Sequence, residues 1–90
     1  MYLEILTPGK MVFAGEVKLV KVPGEGGSFE VMNNHAPIIS TLQKGLVRVV
    51  IDEDNIRTFS IDSGIVQMVS NKIIVLAETL TENTKETQLV

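Results

Sequence analysis

A period of two runs through this chain, and that period belongs to strands. In Ile56-Arg57-Thr58-Phe59-Ser60-Ile61-Asp62, Phe59 and Ile61 share one face while Thr58, Ser60 and Asp62 take the other. Successive side chains of an extended strand point to opposite sides of a sheet, so this alternation marks a half-buried antiparallel strand. Val47, Val49 and Ile51 repeat it, with Arg48 on the opposite face. Val17 and Leu19 begin the same alternation, but Val20 and Val22 continue it in the other phase. That switch predicts a bulge, or a strand buried on both faces. Residues 2–7, 29–32, 38–42, 65–69 and 73–78 complete the expected strands, filled mostly by the Val, Ile, Thr and Phe that suit a pleated surface.

Turn-forming residues separate these runs at short intervals: Pro8-Gly9, Pro23-Gly24, Gly26-Gly27, Asn33-Asn34, Lys44-Gly45, Asp62-Ser63-Gly64 and Ser70-Asn71-Lys72. Asp52-Glu53-Asp54-Asn55 is a polar tip between two alternating runs and predicts a hairpin. Strands at this spacing predict an all-β fold, an antiparallel β-sandwich or flattened barrel of about 8–10 short strands. At 90 residues the chain makes a single domain. Its core is expected over residues 1–80, followed by a short polar tail, 81–90, that lacks an apolar stripe and should fray.

Composition removes several functions. Eight basic against eleven acidic residues leave a net charge of −3, which gives no footprint for nucleic acid. Cysteine is absent, which excludes disulfides, thiolate nucleophiles and thiolate-bound metal. The longest apolar runs, such as residues 73–77, are about a quarter of the roughly 20 residues a membrane helix needs. The N-terminus carries Glu4 and Pro8 rather than a basic start and apolar core, so no signal peptide is expected. A soluble chain is predicted, touching a membrane only through a complex.

Each residue type able to do chemistry is accounted for more simply as structure. His35 is the single histidine, and no nucleophile, second acid or metal-ligand cluster stands at a marked spacing from it. The stretch Pro23-Gly24-Glu25-Gly26-Gly27-Ser28-Phe29 is glycine-rich, but a phosphate loop needs Lys-Ser or Lys-Thr and then a helix, whereas Phe29-Glu30-Val31 continues as strand. It is expected to form a long, mobile hairpin tip, with docking as its alternative role. Asp52, Glu53 and Asp54 lack the further oxygens of a calcium loop. Tyr2, Phe13, Phe29 and Phe59 sit at strand positions, where core is expected rather than a stacking platform. No catalytic residue, cofactor or metal is predicted.

An ordered set of segments resembles a known family. Tyr2-Leu3-Glu4-Ile5-Leu6-Thr7-Pro8, Val12-Phe13-Ala14-Gly15-Glu16-Val17 and Val22-Pro23-Gly24 resemble the opening of the F-type ATP synthase epsilon subunit. Ser28-Phe29-Glu30-Val31-Met32-Asn33-Asn34-His35-Ala36-Pro37 is similar to that family's strand and loop into His-Ala-Pro. Leu42-Gln43-Lys44-Gly45-Leu46-Val47-Arg48-Val49, Asp62-Ser63-Gly64-Ile65-Val66 and Val75-Leu76-Ala77-Glu78-Thr79 fit its later strands and turns, so the likeness spans residues 2–79.

The resemblance implies a non-catalytic β-sandwich in the rotor's central stalk. It would clasp the gamma subunit and sit on the ring of c subunits, coupling proton flow to ATP synthesis. The assembly would include alpha, beta and delta, as a peripheral complex on the cytoplasmic face of the bacterial membrane. By position, Thr7, His35 and Ser40 fall where family members face gamma, and Gly26, Gly27 and Ser28 fall where they meet the ring. The family commonly carries a helical hairpin after this domain, which inhibits ATP hydrolysis and in some members binds ATP. Only residues 81–90 follow here, so both activities are expected to be absent and the chain is expected to be a short form. Ser28 stands where an acidic residue is frequent, Glu30 where glycine is common, and Asn33-Asn34 replaces the usual Pro-Gly. The rival readings are a free-standing sandwich binding module, which should expose aromatic side chains, and a small hydrolase built on His35.

Overall fold

In the computed structural model, residues 1–83 are described, and within them the period-two runs become ten strands. These are β1 (Tyr2–Thr7), β2 (Lys10–Glu16), β3 (Leu19–Gly24), β4 (Gly27–Met32), β5 (Ile38–Leu42), β6 (Gly45–Asp52), β7 (Asn55–Ile61), β8 (Gly64–Val69), β9 (Lys72–Ala77) and β10 (Leu80–Glu82). One layer has the order β10-β7-β6-β3, with β4 on β3, and the other has β5-β8-β9-β1-β2. The layers join where Gly24 of β3 pairs with Leu42 of β5, so a single sheet curls over into a sandwich. Every neighbour pair is antiparallel except β1 and β9, which run parallel. These two strands are far apart in sequence, so no hairpin turn forces them to oppose.

Inward-facing residues of both layers make one core. Leu3 and Ile5 of β1, Val47 and Val49 of β6 and Val66 and Met68 of β8 are each buried at every second position. Phe59 is the largest fully buried side chain, and no polar side chain of the described residues is buried. At the open edge between β7 and β2 the guanidinium of Arg57 closes the gap. It lies 5.1 Å from the centre of the Phe13 ring and 5.5 Å from that of Phe59. Its Nε and Nη2 donate to both carboxylate oxygens of Glu82 on β10, each at 2.7 Å. That hydrogen-bonded pair raises the Arg57 pKa above its ordinary value.

Several expectations are corrected. The phase switch between Val17 and Val20 is not a bulge, and burial on both faces is found only at the end of β3, over Val22, Pro23 and Gly24. Val17 lies before β3, in a corner where its N–H donates to the Met1 carbonyl at 2.9 Å and that of Lys18 to Val50 at 2.8 Å. The strand itself begins at Leu19 and alternates Val20, Val22 inward with Lys21 outward. Irregularities in register occur instead at Ile5/Leu6 and Val50/Asp52. The glycine-rich tip is not long: Gly24 pairs with Gly27 and only Glu25-Gly26 form the turn. Pro23-Gly24 lies inside β3, because the Phe29 ring packs where a Cβ on Gly24 would stand, 2.7 Å away. Tyr2 belongs not to the core but to the outer face, with the Lys72 ammonium 6.0 Å from its ring. The expected fraying from residue 81 does not hold for Thr81 and Glu82, which pair with Ser60 and Phe59. The remainder of that tail, 84–90, lies outside the described residues.

Turn chemistry follows the sequence elsewhere. Pro8-Gly9, with Gly9 at φ 77°, makes the β1–β2 turn as type II turns require. Ser70 and Asn71, both in the left-handed region at φ 52° and 60°, make the β8–β9 turn in the type I′ manner. In the β6–β7 hairpin the Asp52 carboxylate accepts from Asp54 N–H at 2.9 Å and from Asn55 Nδ2 at 3.0 Å. The Asn55 amide first, and the Asp54 N–H second, hold the Asp52 pKa below its ordinary value.

Candidate functional site

The residues singled out from the sequence are spread over the sandwich. His35 lies in the β4–β5 loop at one end, half-buried, with its N–H donating to Met32 O at 3.0 Å and Nδ1 2.8 Å from Ala36 O. Asn71 clamps this loop: its Oδ1 accepts from Asn34 N–H at 2.8 Å, and its Nδ2 donates to Asn33 Oδ1 at 2.9 Å. This bridge from the β8–β9 turn fixes the loop that the Asn33-Asn34 sequence would otherwise leave loose. Asn34 itself sits at φ 63°, which asparagine tolerates. Ser40 is in the middle of β5, half-buried, in the inward row with Val66, Val75 and Ile5. Thr7 ends β1 at the opposite end from His35. Ile38, just after the His35 loop, stands in the row of Met68, Ile73 and Leu3; Thr7 is four residues farther along β1, or about 13 Å at strand spacing. Gly26, Gly27 and Ser28 are exposed at Thr7's end of the molecule. So these six positions do not converge on one point, as catalysis would need.

A surface that the alternation hid does converge. On the outer side of the β5-β8-β9-β1-β2 layer, Thr41, Ile65, Leu76, Leu6 and Met11 stand in register as one row. Two residues along, the next outward row is Ile39, Gln67, Ile74, Glu4 and Ala14. Ile39 is 72% exposed, Leu76 50% and Ile65 41%, with Val69 and Met11 also open. A sheet face meant for water carries polar side chains at these positions, whereas here Glu4, Gln67 and Lys72 are interruptions in an apolar surface. The other layer differs in its middle, where Glu30, Lys21, Arg48 and Thr58 form a polar outward row, with the exposed Met32, Leu46 and Ile56 set to either side of it. The signal was present in the sequence as a loss of alternation. Ile38-Ile39, Ile65-Val66 and the unbroken run 73–77 place apolar residues in both phases, which means both faces of those strands are to be covered.

Fold and surface together define a class: a small β-sandwich with one sheet face left apolar, suited to holding another protein. Comparison with known proteins specifies it. The profile of the family described as ATP synthase, Delta/Epsilon chain, beta-sandwich domain matches residues 1–83, and the chain belongs to that family. The ATP synthase epsilon chain of Chlorobium limicola is 40% identical over 76 residues, covering 84% of this chain and 86% of the relative. A chain in the Euglena gracilis mitochondrial ATP synthase structure has the same fold with TM-score 0.83 at 13% identity, matching 89% of this chain. This chain spans about half, 51%, of that longer one. A chain of the Tetrahymena thermophila mitochondrial ATP synthase central stalk and c-ring gives TM-score 0.78 at 13% identity, with 99% and 72% covered. The aromatic residues do not form the exposed platform that a sugar-binding module would need: Phe13 and Phe59 are buried, and Tyr2 and Phe29 half-buried.

Proposed function

We propose that this chain is a rotor subunit in the central stalk of an F-type ATP synthase. It makes no bond chemistry of its own and couples proton translocation through the c ring to ATP synthesis by docking on gamma and the ring. The observation that carries this reading is the apolar outer face of the β5-β8-β9-β1-β2 layer, in a member of this family. Removing such a face from water favours association by roughly 25 cal/mol per Å² of apolar area, and a close-packed sandwich of low compressibility can transmit strain. The central-stalk and c-ring origin of the Tetrahymena relative supports the same assignment.

In this reading Thr7, His35 and Ser40 are gamma contacts, with Thr7 and His35 at the two ends of the sandwich and Ser40, on the inward row of β5, reached only from the open edge of that strand. Gly26, Gly27 and Ser28, at the exposed tip, meet the ring. The two-residue turn makes that tip short, with Ser28 already paired in the β3–β4 ladder. Alpha, beta and delta complete the extrinsic sector, and the chain lies on the cytoplasmic face of the bacterial membrane through the complex alone.

Co-expression with the gamma subunit of the same organism tests this. A 1:1 complex should elute from size exclusion. Ile39→Asp with Leu76→Asp should weaken it at least a hundredfold, the outcome expected when two charges are buried unpaired, about 3 kcal/mol or more. Both residues are exposed in the free chain, so its melting temperature should stay within a few degrees. Failure to bind gamma, or equal binding by the variant, would contradict the reading.

A further inference from the structure

The chain has four methionines, and the fold sorts them into two kinds. Met1 and Met68 are buried in the core, whereas Met11 is 48% exposed and Met32 52%. The exposed pair stand on opposite layers. Met32 is on β4, in an outward row with Leu19, Val50 and Ile56. Met11 is on β2, at the end of the outward row of Thr41, Ile65, Leu76 and Leu6. Strand β2 is the edge of its layer, with β1 as its one neighbour among the described residues, so nothing in register lies beyond Met11. Leu6, Leu76 and Ile65 are saturated hydrocarbon that a hydroperoxide does not attack, and the chain contains neither cysteine nor tryptophan. Met11 is thus the point at which a hydroperoxide can change the apolar face.

We propose that Met11 is a site of reversible sulfoxide modification, which removes the apolar character of this face in the free chain and so switches off its docking. The sulfur lone pair attacks one oxygen of a hydroperoxide. The S–O bond forms, the O–O bond breaks, and the transferred oxygen gives its proton to the oxygen that leaves as water or an alcohol. Sulfur is oxidised and the peroxide reduced. A dithiol reverses the step through a methionine sulfoxide reductase, ending as a disulfide while the oxygen leaves as water. The sulfoxide turns a soft apolar side chain into a polar one. Neither Leu6 nor Leu76 beside it has a side-chain donor to meet the new oxygen, so covering it with a partner leaves a polar group unpaired. Docking and oxidation then exclude each other: the docked chain is protected at Met11, and the oxidised chain is kept out of the assembly. The effect on docking rests on the rotor assignment, whereas the modification and the loss of apolar character rest on the free chain alone.

The test treats the full chain with hydrogen peroxide and locates the products by peptide mass spectrometry. Met11 and Met32 should oxidise at similar rates, each at least about tenfold faster than Met1 and Met68, whose close-packed surroundings keep the oxidant out. The consequence is read in Met32→Leu, where Met11 is the one exposed methionine left, beside the double variant Met11→Leu with Met32→Leu. After peroxide, Met32→Leu should elute earlier from a phenyl column, and its affinity for gamma should fall at least about tenfold, as expected when an unpaired polar group is covered. The double variant should show neither change, and methionine sulfoxide reductase with a dithiol should restore both. In the complex of the parent chain with gamma, Met11 should be protected while Met32 oxidises as before. Oxidation of Met11 no faster than that of Met68 would overturn the proposal. So would an oxidised Met32→Leu chain that keeps its retention or its gamma affinity, or an equal loss in the double variant. A chain that shows the retention change but binds no gamma even before peroxide would overturn the rotor assignment and not the modification.

Discussion

Asn71 shows how much one residue can hold. Its backbone is left-handed at φ 60°, its carbonyl accepts from Tyr2 N–H at 3.1 Å, and its amide makes two bonds into the His35 loop. Asn71→Ala loses the amide bonds and forces a Cβ residue without a polar handle into the left-handed region, for a cost of about 2–3 kcal/mol. Asn71→Gly keeps the backbone and should cost about half as much, about 1 kcal/mol. Denaturant melts of the two variants separate the contributions, and equal costs would mean the left-handed backbone contributes little. Gly64 is held by space rather than by conformation: a Cβ there would collide with the Leu76 carbonyl. Gly64→Ala should therefore cost about 2–3 kcal/mol, measured in the same way. Neither constraint could be read in the sequence. Asn71 and Gly64 looked like ordinary turn residues, because the groups they meet lie on strands distant in the chain.

At the scale of elements the sequence was most legible where one face is wet. Strands β6 and β7 alternate cleanly and their Asp52-to-Asn55 tip forms the expected hairpin. Strand β2 escaped the alternation reading, since Met11-Val12-Phe13-Ala14-Gly15 is apolar throughout; β10 escaped because it is only three residues long. What holds β10 is tertiary: the Arg57–Glu82 pair, Asn83 N–H donating to Thr58 O at 2.8 Å, and Ser60 Oγ donating to Asn83 Oδ1 at 3.0 Å. Glu82→Ala removes a partly exposed ion pair and should cost at most about 1 kcal/mol. Arg57→Ala should cost more, about 1–2 kcal/mol, because its stem and charge also cover Phe13 and Phe59; a smaller loss for Arg57 would remove it as the closure of the open edge. The hairpin carries a pH signature. The Asp52 carboxylate sits below its ordinary value of 3.8, so its contribution is present above the unfolded-state pKa and is lost as pH falls through the lower folded-state one. Asp52→Asn should therefore lower the melting temperature near neutrality and converge on the parent once pH has fallen through the lowered folded-state pKa. A gap that persisted unchanged in acid would show that the carboxylate's charge is not what stabilises the turn.

The whole molecule is a sandwich with two unlike outer faces, and that asymmetry is what a single-strand reading could not supply. Alternation tells which side of a strand is buried in its own fold. It does not tell which side is buried in a partner, and strands β8 and β9, apolar in both phases, are covered on one side by the core and open on the other. The same physics links the face and the rotor assignment, since both concern a surface that gains stability only in an assembly. The most direct measurement is affinity purification of the tagged chain from gently solubilised membranes of its own organism, read by quantitative mass spectrometry. The account predicts gamma, alpha, beta and c chains in stoichiometric ratio with the bait, and their loss when Ile39→Asp and Leu76→Asp are combined. Recovery of a folded bait without those chains would contradict it, and would leave only the family's fold in place of its function.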